Sequence, residues 1–240
     1  MEIMSINLRT HKELAEHIKP CSVLHLNSLG KDSAACLEWL ANYAKPKRIV
    51  SVNYQFLSEH PSDVKYLEYQ KKRYPNVEFI REPNAHELTN ICRRHYQTPD
   101  MVMSNINNFE HHEFSFKKYS KDLLKKLNLD YACSGFSKYE SVSRATNFYK
   151  KGLVINHEIF PIGMMTKAQV MGIISQTGLK LHPCYKLSQT THDYPSYYKM
   201  RSAFIADPEF KKSVYKVFPL LVLDEYRFEV LLNGKKTSLK

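Results

Sequence analysis

The 240-residue chain contains only 7 glycines and no apolar run long enough to cross a membrane. Its longest purely apolar stretches resemble residues 220–223, whereas a membrane helix needs about 20 such residues. Residues 1–19 are amphipathic and polar, without the apolar core of a secretion signal. We therefore expect a cytoplasmic protein without a membrane partner, in which any glycine of a tight loop is informative.

Cysteine is present but not in a metal-binding or disulfide pattern. No two of the 5 cysteines form a C-x-x-C pair, and the scattered residues are Cys21, Cys36, Cys92, Cys133 and Cys184. Such a pattern argues against a disulfide framework, a zinc finger or a four-cysteine iron–sulfur site. The adjacent His111 and His112 would point about 100° apart on a helix and would not chelate a metal together. We expect neither zinc nor an iron–sulfur cluster.

The charge in excess is positive. Lysine and arginine number 35 against 24 aspartates and glutamates, which gives a formal net charge of +11. A hydrophobic content of 43% is enough for a sizeable core and excludes disorder as the main state. The positive excess favours a phosphate-bearing ligand. It leaves open whether that phosphate belongs to a nucleotide, a nucleic acid or a lipid.

Short runs rich in Val and Ile alternate with segments of helical period, which is typical of strand–helix–strand units on a parallel sheet. Strands are predicted over residues 22–27, 47–54, 77–81, 129–135 and 153–159. Helices are predicted over residues 9–18, 32–43 and 61–73, within 109–127, and over 166–177. The predicted fold class is α/β: a Rossmann-like parallel five-stranded sheet with helices on both faces. We expect a nucleotide-binding domain over residues 1–186 and a helical C-terminal extension over 187–240, packed on that core.

The strongest local signal is the sequence SLGKDS at residues 28–33, between the first strand and the following helix. A loop in this position faces a helix N-terminus, whose amides and dipole favour anions. Gly30 lets the main chain approach a ligand closely, and Lys31 adds a full charge. The hydroxyls of Ser28 and Ser33 are further donors. We predict an anion-binding loop here.

Two other phosphate loops do not match residues 28–33. A Walker A loop requires glycine where His25 stands, and Ser or Thr where Asp32 follows the lysine. A dinucleotide fingerprint requires a second glycine nearby. An alternative interpretation is a plain polar turn in which Asp32 caps the helix.

The 28–33 loop resembles the S-G-G-K-D-S loop of the PP-loop ATP pyrophosphatases, and within them the branch of phosphoadenosine phosphosulfate (PAPS) reductases. Leu29 replaces the first glycine of that loop, and we expect an ordinary negative φ for it. Asn53 stands where the family has an acidic residue, and the family's E-H-P segment is present at residues 59–61. Residues 135–144, GFSKYESVSR, are similar to the family's G-x-R-x-x-E-S-x-x-R.

Two later segments extend the resemblance to about residues 23–185. Residues 160–166 are similar to a P-I-x-x-W-T segment, and residues 178–185 to G-L-x-x-H-P-x-Y. The resemblance implies that an adenine nucleotide is bound by Ser28, Leu29, Gly30, Lys31, Asp32, Ser33, Asn53, Tyr54, Gly135 and Lys138.

Arg144 and Lys138 are expected to neutralise a phosphate or sulfate opposite the 28–33 loop, because guanidinium pairs with oxyanions in a bidentate way. The alternative for Arg144 is a surface ion pair with Glu140, which lies four residues earlier.

Three reactions remain open from the sequence. The first is a transferase reaction that cleaves ATP to AMP and pyrophosphate to activate an unknown acceptor, with Lys31, Asp32 and Arg144 as catalytic residues. Asp32 is then the ligand of Mg²⁺. The second is the binding or reduction of a sulfonucleotide such as PAPS. Reduction is disfavoured because the family's E-C-G-(I/L)-H segment is absent and no cysteine follows Cys184.

The third reaction is modification of tRNA or DNA. A predicted basic helix face suits a phosphate backbone, and it comprises Lys117, Lys118, Lys121, Lys125 and Lys126. The aromatic segment 192–198 could stack bases. A solvated helix face and packing of the extension explain the same residues without nucleic acid. The sequence leaves a homo-oligomer open.

Overall fold

The computed structural model describes residues 7–105, 116–186 and 196–233. His111, His112 and most of the aromatic segment 192–198 lie outside the described residues. In the part that is described, no helix is long and apolar enough to cross a bilayer.

The chain divides into two compact units. The first consists of Met1–Tyr54, Lys65–Glu82 and Ser120–His182. The second consists of Gln55–Val64, Pro83–Tyr119 and Pro183–Lys240. The first unit contains every residue of the candidate site discussed below.

The described residues form a six-stranded, mostly parallel sheet with the strand order β3-β2-β1-β4-β6-β5. The strands are β1 Ser22–Asn27, β2 Arg48–Gln55, β3 Glu78–Pro83, β4 Tyr131–Cys133, β5 Val154–Ile155 and β6 Glu158–Ile159. β1 pairs in parallel with both β2 and β4, and β4 pairs in parallel with β6. The predicted Rossmann-like α/β class is confirmed, with one more strand than expected.

The extra strand arises because the predicted fifth strand, residues 153–159, is a hairpin. Asn156 and His157 at its tip have φ angles of 51° and 64°. Two successive residues in the left-handed region form the tight turn that joins antiparallel strands. β5 therefore pairs antiparallel with β6, and the prediction of one continuous strand was wrong.

Both units contain helices, and several begin where a capping residue predicts. They are α1 His11–Ile18, α2 Lys31–Glu38, α3 Pro61–Arg73, α4 Ala85–Cys92, α5 Pro99–Asn105, α6 Phe116–Leu127, α7 Val142–Lys151, α8 Lys167–Gln176, α9 Tyr197–Ala206, α10 Pro208–Val217 and α11 Leu221–Tyr226. Thr166 caps α8 by accepting a hydrogen bond from the Gln169 amide, as its sequence predicts. α2 continues as a π-helical turn over Trp39–Ala44.

The two faces of the sheet bury different side chains because successive residues of a strand point to opposite faces. Val23 and Ile49 belong to a cluster that includes buried residues of α1, α2 and α8. Leu24 and Val50 belong to a second cluster with Leu123 of α6. Helices therefore cover both faces, as predicted.

The exposed side of α6 is basic. Leu124 and Leu127 are partly buried against the second cluster, whereas exposed lysines of this helix are Lys118, Lys121, Lys125 and Lys126. Four lysines of the predicted basic face are thus exposed to solvent, and the side chain of the fifth, Lys117, lies outside the described residues.

The second unit has an apolar cluster of its own. Its buried members are Tyr197, Met200, Ala203, Phe204, Phe210, Val214, Phe218 and Leu221, all from α9 to α11 and the turn between α10 and α11. Asp207 caps α10 by accepting a hydrogen bond from the Phe210 amide, and Pro208 occupies the first turn. The predicted C-terminal extension is thus helical over most of its described residues.

Candidate functional site

The 28–33 loop joins the carboxyl end of β1 to the amino end of α2. Leu29, at its centre, has a φ of 60°, in the left-handed region. The expectation of an ordinary negative φ for this leucine was wrong. The loop keeps a backbone conformation that suits glycine, although its side chain is leucine.

Burial of the Leu29 side chain offsets this backbone strain. Leu29 is 6% exposed and clusters with Tyr66 and Leu67 of α3. Burying a leucine contributes about 2 kcal/mol, whereas the left-handed conformation costs about 1 to 2 kcal/mol. The leucine thus anchors the loop to α3.

The amino end of α2 has no side-chain cap. Gly30 is the N-cap residue, with extended backbone angles and no capping hydrogen bond from a side chain. Asp32 lies in the first turn and forms an ion pair with Lys31 through its Oδ2 atom. The alternative in which Asp32 merely caps the helix is therefore not the observed arrangement. An uncapped first turn is suited to an anion.

A buried polar network lies directly beneath the loop. The His25 Nδ1 atom is 3.0 Å from the Ser51 hydroxyl, and its Nε2 atom is 3.0 Å from the Ser33 carbonyl oxygen. Burial lowers the pKa of His25 to about 4, so its imidazole is neutral at pH 7. A neutral imidazole that donates from Nε2 accepts at Nδ1 from the Ser51 hydroxyl. His25 thereby ties the first helical turn to β2.

Asn27 extends this network to the loop and to α3. Its Nδ2 atom donates to Gln70 Oε1 at 2.8 Å and to the Ser51 hydroxyl at 3.2 Å. Its Oδ1 atom accepts from the Leu29 amide at 3.0 Å. The Ser28 amide donates to the Ser33 hydroxyl at 3.3 Å, which closes the loop on itself. The loop backbone is therefore held by buried side chains of β1 and α2, and the β1 side chains are held in turn by Ser51 of β2 and Gln70 of α3.

Gly135, just after β4, packs against the same helical turn. A Cβ atom at this position would lie 2.9 Å from the Ser33 nitrogen and 3.0 Å from the Asp32 carbonyl carbon. Because both are backbone atoms, they cannot move aside as a flexible side chain would. The close approach requires glycine and brings the segment after β4 to the 28–33 loop.

The two predicted residues at the end of β2 lie on opposite faces of the sheet. Asn53 is buried and donates from Nδ2 to the Asn27 carbonyl oxygen at 3.1 Å. Tyr54 faces α6, and its hydroxyl is 3.4 Å from the Ser120 hydroxyl. Asn53 thus joins the loop network, whereas the Tyr54 ring belongs to the other face.

The two predicted cations after β4 are engaged with neighbouring side chains. The Lys138 Nζ atom donates to the Tyr149 hydroxyl at 3.2 Å. Arg144 forms an ion pair with Glu140, and its guanidinium carbon lies 4.0 Å from the centroid of the Phe136 ring. The alternative partner considered for Arg144 is therefore the observed one. A role for Arg144 in binding phosphate would require exchange of this ion pair.

The cysteines of the first unit include a buried pair beneath the loop. Cys36 of α2 and Cys133 of β4 are both fully buried, and their thiols are hydrogen-bonded to each other. Burial raises the pKa of Cys133 well above the usual range. Because both thiols are buried, we assign them a structural role and not that of a nucleophile.

Four residues of the network were not predicted from the sequence, namely His25, Asn27, Ser51 and Gln70. A signal for three of them was present: polar residues recur at every second position near the end of two apolar strand segments. In the register of β1 and β2, His25 pairs with Ser51, and Asn27 with Asn53. Polar residues that share one face of adjacent buried strands indicate a network.

The fold and the 28–33 loop define a Rossmann-like α/β protein of the PP-loop type. The family model that describes the phosphoadenosine phosphosulfate reductase domain matches residues 22–196. The chain belongs to that family.

Three solved structures illustrate the similarity. The U34-tRNA thiolase NcsA from Methanococcus maripaludis is 15% identical with a TM-score of 0.47, over 91% of this chain and 78% of that one. PAPS reductase from Candida auris is 12% identical with a TM-score of 0.42, over 76% and 93%. The NH3-dependent NAD synthetase from Campylobacter jejuni is 12% identical with a TM-score of 0.46, over 90% and 93%. Comparison with curated proteins gives no significant match.

These comparisons correct the expectation that an iron–sulfur cluster is excluded. NcsA is described with its [4Fe-4S] cluster, so the exclusion drawn from cysteine spacing was wrong. Spacing is a weak guide because the tertiary structure brings cluster ligands together. Within the described residues, no three Cys, His, Asp or Glu side chains are grouped to hold a metal ion. No step of the chemistry below depends on a cluster.

Proposed function

We propose that this chain binds ATP at the 28–33 loop and cleaves it to AMP and pyrophosphate to activate an acceptor. The observation that carries the proposal is the uncapped first turn of α2, held in place by buried side chains and approached closely by Gly135. A preorganised loop of this kind presents amides and a helix dipole to phosphate oxygens. Its rigidity favours the transition state because no reorganisation is needed during the reaction.

The reaction proposed is a displacement at the α-phosphorus. An acceptor oxygen attacks this phosphorus, the bond from it to the bridging oxygen breaks, and pyrophosphate leaves with that oxygen. The adenylated acceptor then releases AMP when a second nucleophile, an amine or a sulfur donor, displaces it. Negative charge grows on the leaving group, so Lys31 stabilises it from the first turn of α2. Arg144 would join in after exchanging Glu140 for a phosphate oxygen.

Asp32 is the residue that would hold a magnesium ion. Mg²⁺ is commonly bound by one or two carboxylates together with substrate phosphates, so a single carboxylate in the loop fits this ion. Asp32 uses Oδ2 in its ion pair with Lys31. We propose that nucleotide binding draws Lys31 to the phosphates and turns Asp32 towards the metal, which neutralises phosphate charge.

Binding of a sulfonucleotide such as PAPS is the second candidate and is favoured by family membership. Its reduction by Cys184 is opposed by the state of that thiol. Cys184 is 2% exposed, and burial with the nearby Asp63 charge raises its pKa to about 12. A thiol of this kind supplies almost no thiolate at neutral pH.

The test is the fate of α-labelled ATP in the presence of magnesium and candidate acceptors. We expect AMP and pyrophosphate, with rates about a hundredfold lower in Lys31→Ala and in Asp32→Asn. Lys121→Ala is the matched control, because this lysine is exposed on α6. Release of ADP and phosphate would contradict the proposal, as would equal rates in Lys31→Ala and wild type. Binding of PAPS without magnesium, with no ATP binding, would favour the sulfonucleotide.

A further inference from the structure

Exposed aromatic rings and cations occur together in residues 136–151, which follow β4. Tyr139 is 60% exposed and Tyr149 is 58% exposed, and Phe136 is exposed as well. We refer to this region as the aromatic surface, and it consists of Phe136, Lys138, Tyr139, Arg144, Tyr149, Lys150 and Lys151. Exposed rings grouped in this way indicate an interaction site.

Cations hold the rings of the aromatic surface in place. The Lys138 Nζ atom lies 5.1 Å from the ring centroid of Tyr139 and 5.1 Å from that of Tyr149. The Arg144 guanidinium lies over Phe136. Cation–π contacts of this length orient each ring while leaving much of it open to solvent.

The charge of the surface is positive and is concentrated on α7. This helix carries Arg144, Lys150 and Lys151 and contains no acidic residue. Phe148 is its only buried residue, so nearly the whole helix faces solvent. Glu140, just before the helix, is paired with Arg144. The complement of this surface is a polyanion with flat apolar groups.

The aromatic surface lies next to the candidate nucleotide site. Gly135 contacts the first turn of α2, and Lys138 follows three residues later. Three residues span at most about 10 Å. The Lys138 amide donates to the Gly163 carbonyl oxygen at 2.9 Å. This hydrogen bond fixes the backbone of the short segment from Gly135 to Lys138.

We propose that the aromatic surface binds a single-stranded nucleic-acid segment. Its bases stack on Tyr139 and Tyr149, and its phosphates contact Lys150 and Lys151. An acidic protein would use the lysines but would leave the rings without a role. A duplex would keep its bases stacked inside and could not use the rings either.

The proposal deepens the proposed function, because it identifies the acceptor as a nucleic acid, and in that role it rests on ATP cleavage. Binding itself requires neither ATP nor magnesium. Oligonucleotide binding and ATP cleavage can therefore be tested independently of each other. If the protein binds the oligonucleotide but forms no AMP, the proposal of ATP cleavage is contradicted and the proposal of nucleic-acid binding is not.

The test is fluorescence anisotropy of a labelled single-stranded oligonucleotide, oligothymidylate or oligouridylate of about 12 nucleotides, without nucleotide or metal. We expect the double variant Tyr139→Ala/Tyr149→Ala to bind about tenfold more weakly or worse. Tyr139→Phe/Tyr149→Phe keeps both rings and is expected to bind within about threefold of wild type. Lys150→Ala/Lys151→Ala is expected to weaken the dependence of the binding affinity on salt concentration, by the amount that corresponds to the loss of about one to two phosphate contacts.

α6 supplies a control of equal charge. Every exposed residue described on this helix is charged, so Lys121→Ala/Lys125→Ala removes the same charge without altering a ring. We expect this variant to bind within about twofold of wild type. Circular dichroism of each variant checks that it is folded.

Four results would overturn the proposal. The first is an unchanged affinity in Tyr139→Ala/Tyr149→Ala, and the second is an equal loss in the α6 control. The third is equal affinity for the single strand and for a duplex of the same length, which would reduce the interaction to general electrostatics. Tighter binding of polyglutamate than of the oligonucleotide would also overturn it, in favour of an acidic protein partner.

Discussion

Gly135 lies so close to Ser33 that a Cβ atom on the glycine would be 2.9 Å from the serine nitrogen. The two residues follow different strands, β4 and β1, which are adjacent and parallel. Parallel neighbours end at the same edge of a sheet, so the loops after them meet there. The contact joins the segment after β4 to the turn that we propose binds phosphate.

Replacing this glycine is expected to disturb both stability and nucleotide binding. Gly135→Ala forces the added methyl group against backbone atoms of α2, and we expect a loss of about 1 to 3 kcal/mol in the free energy of unfolding. Nucleotide affinity, measured by calorimetry, is expected to fall as well. Gly172→Ala is the control: no atom lies within 4 Å of its added Cβ. Gly172 lies inside α8, so alanine there is expected to stabilise by about 0.5 to 1 kcal/mol. Equal effects at the two positions would contradict the close approach.

Leu29 allows backbone strain to be separated from side-chain burial. Leu29→Ala removes the contacts with Tyr66 and Leu67 but keeps a Cβ atom at positive φ, and it is expected to cost about 2 to 5 kcal/mol. Leu29→Gly removes the same contacts and the strain. We therefore expect the glycine variant to be about 1 kcal/mol more stable than the alanine variant in denaturant unfolding. The opposite order would show that Leu29 is not held in the left-handed region.

His25 is expected to make stability depend on pH in a defined window. Its pKa is about 4 in the folded chain against an ordinary value of 6.5. Between these values the unfolded chain binds the proton more tightly, so stability is full above about pH 6.5 and falls as the pH drops towards 4. The fall attributable to this group is at most about 3 kcal/mol.

His25→Gln should remove this contribution, so the difference in stability between wild type and variant should shrink as the pH falls from 6.5 to 4. Glutamine can still donate to the Ser33 carbonyl oxygen but does not titrate. His95→Gln changes an exposed histidine and is the matched control. Parallel stability curves for wild type and His25→Gln would show that His25 titrates normally.

Cys184 is expected to be unreactive in the native protein. Its raised pKa and burial predict that iodoacetamide at pH 8 modifies it more slowly than Cys21, which is partly exposed. Peptide mapping by mass spectrometry measures both, and modification in denaturant is the control. Cys184→Ser is expected to retain nucleotide binding. Alkylation of Cys184 as fast as that of Cys21 would restore the case for a catalytic thiol.

The local elements were largely predictable because they depend on short-range patterns. β1 over Ser22–Asn27 and α3 over Pro61–Arg73 have the predicted bounds. The alternation of Val and Ile marks a buried strand, and a proline in the first turn marks the start of a helix. The helices α4, α5 and α7 were not predicted. Of these, α7 is capped by Ser141, whose hydroxyl accepts a hydrogen bond from the Arg144 amide, and a single serine does not by itself predict the start of a helix.

The candidate site was predictable only in part. Gly30 and Lys31 follow a strand and open a helix, and these local features are visible in the sequence. The positive φ of Leu29 was not, because leucine avoids that region unless distant residues hold it there. The hairpin at Asn156 and His157 was not predicted for a related reason. Its turn is defined by the pairing of β5 with β6 and of β6 with β4, which the sequence does not show.

The sequence by itself determined the α/β fold class, the strand–loop–helix at residues 28–33 and membership of the PAPS reductase domain family, because each is recognised from local patterns and from their order along the chain. The tertiary structure decided which residues support that loop. Gln70 and Gly135 are far from the loop in sequence. Gln70 reaches Asn27 from α3, and Gly135 reaches the first turn of α2 because β1 and β4 are parallel neighbours that end at one edge of the sheet. It also decided the pKa of His25, since desolvation depends on burial, which the sequence does not record.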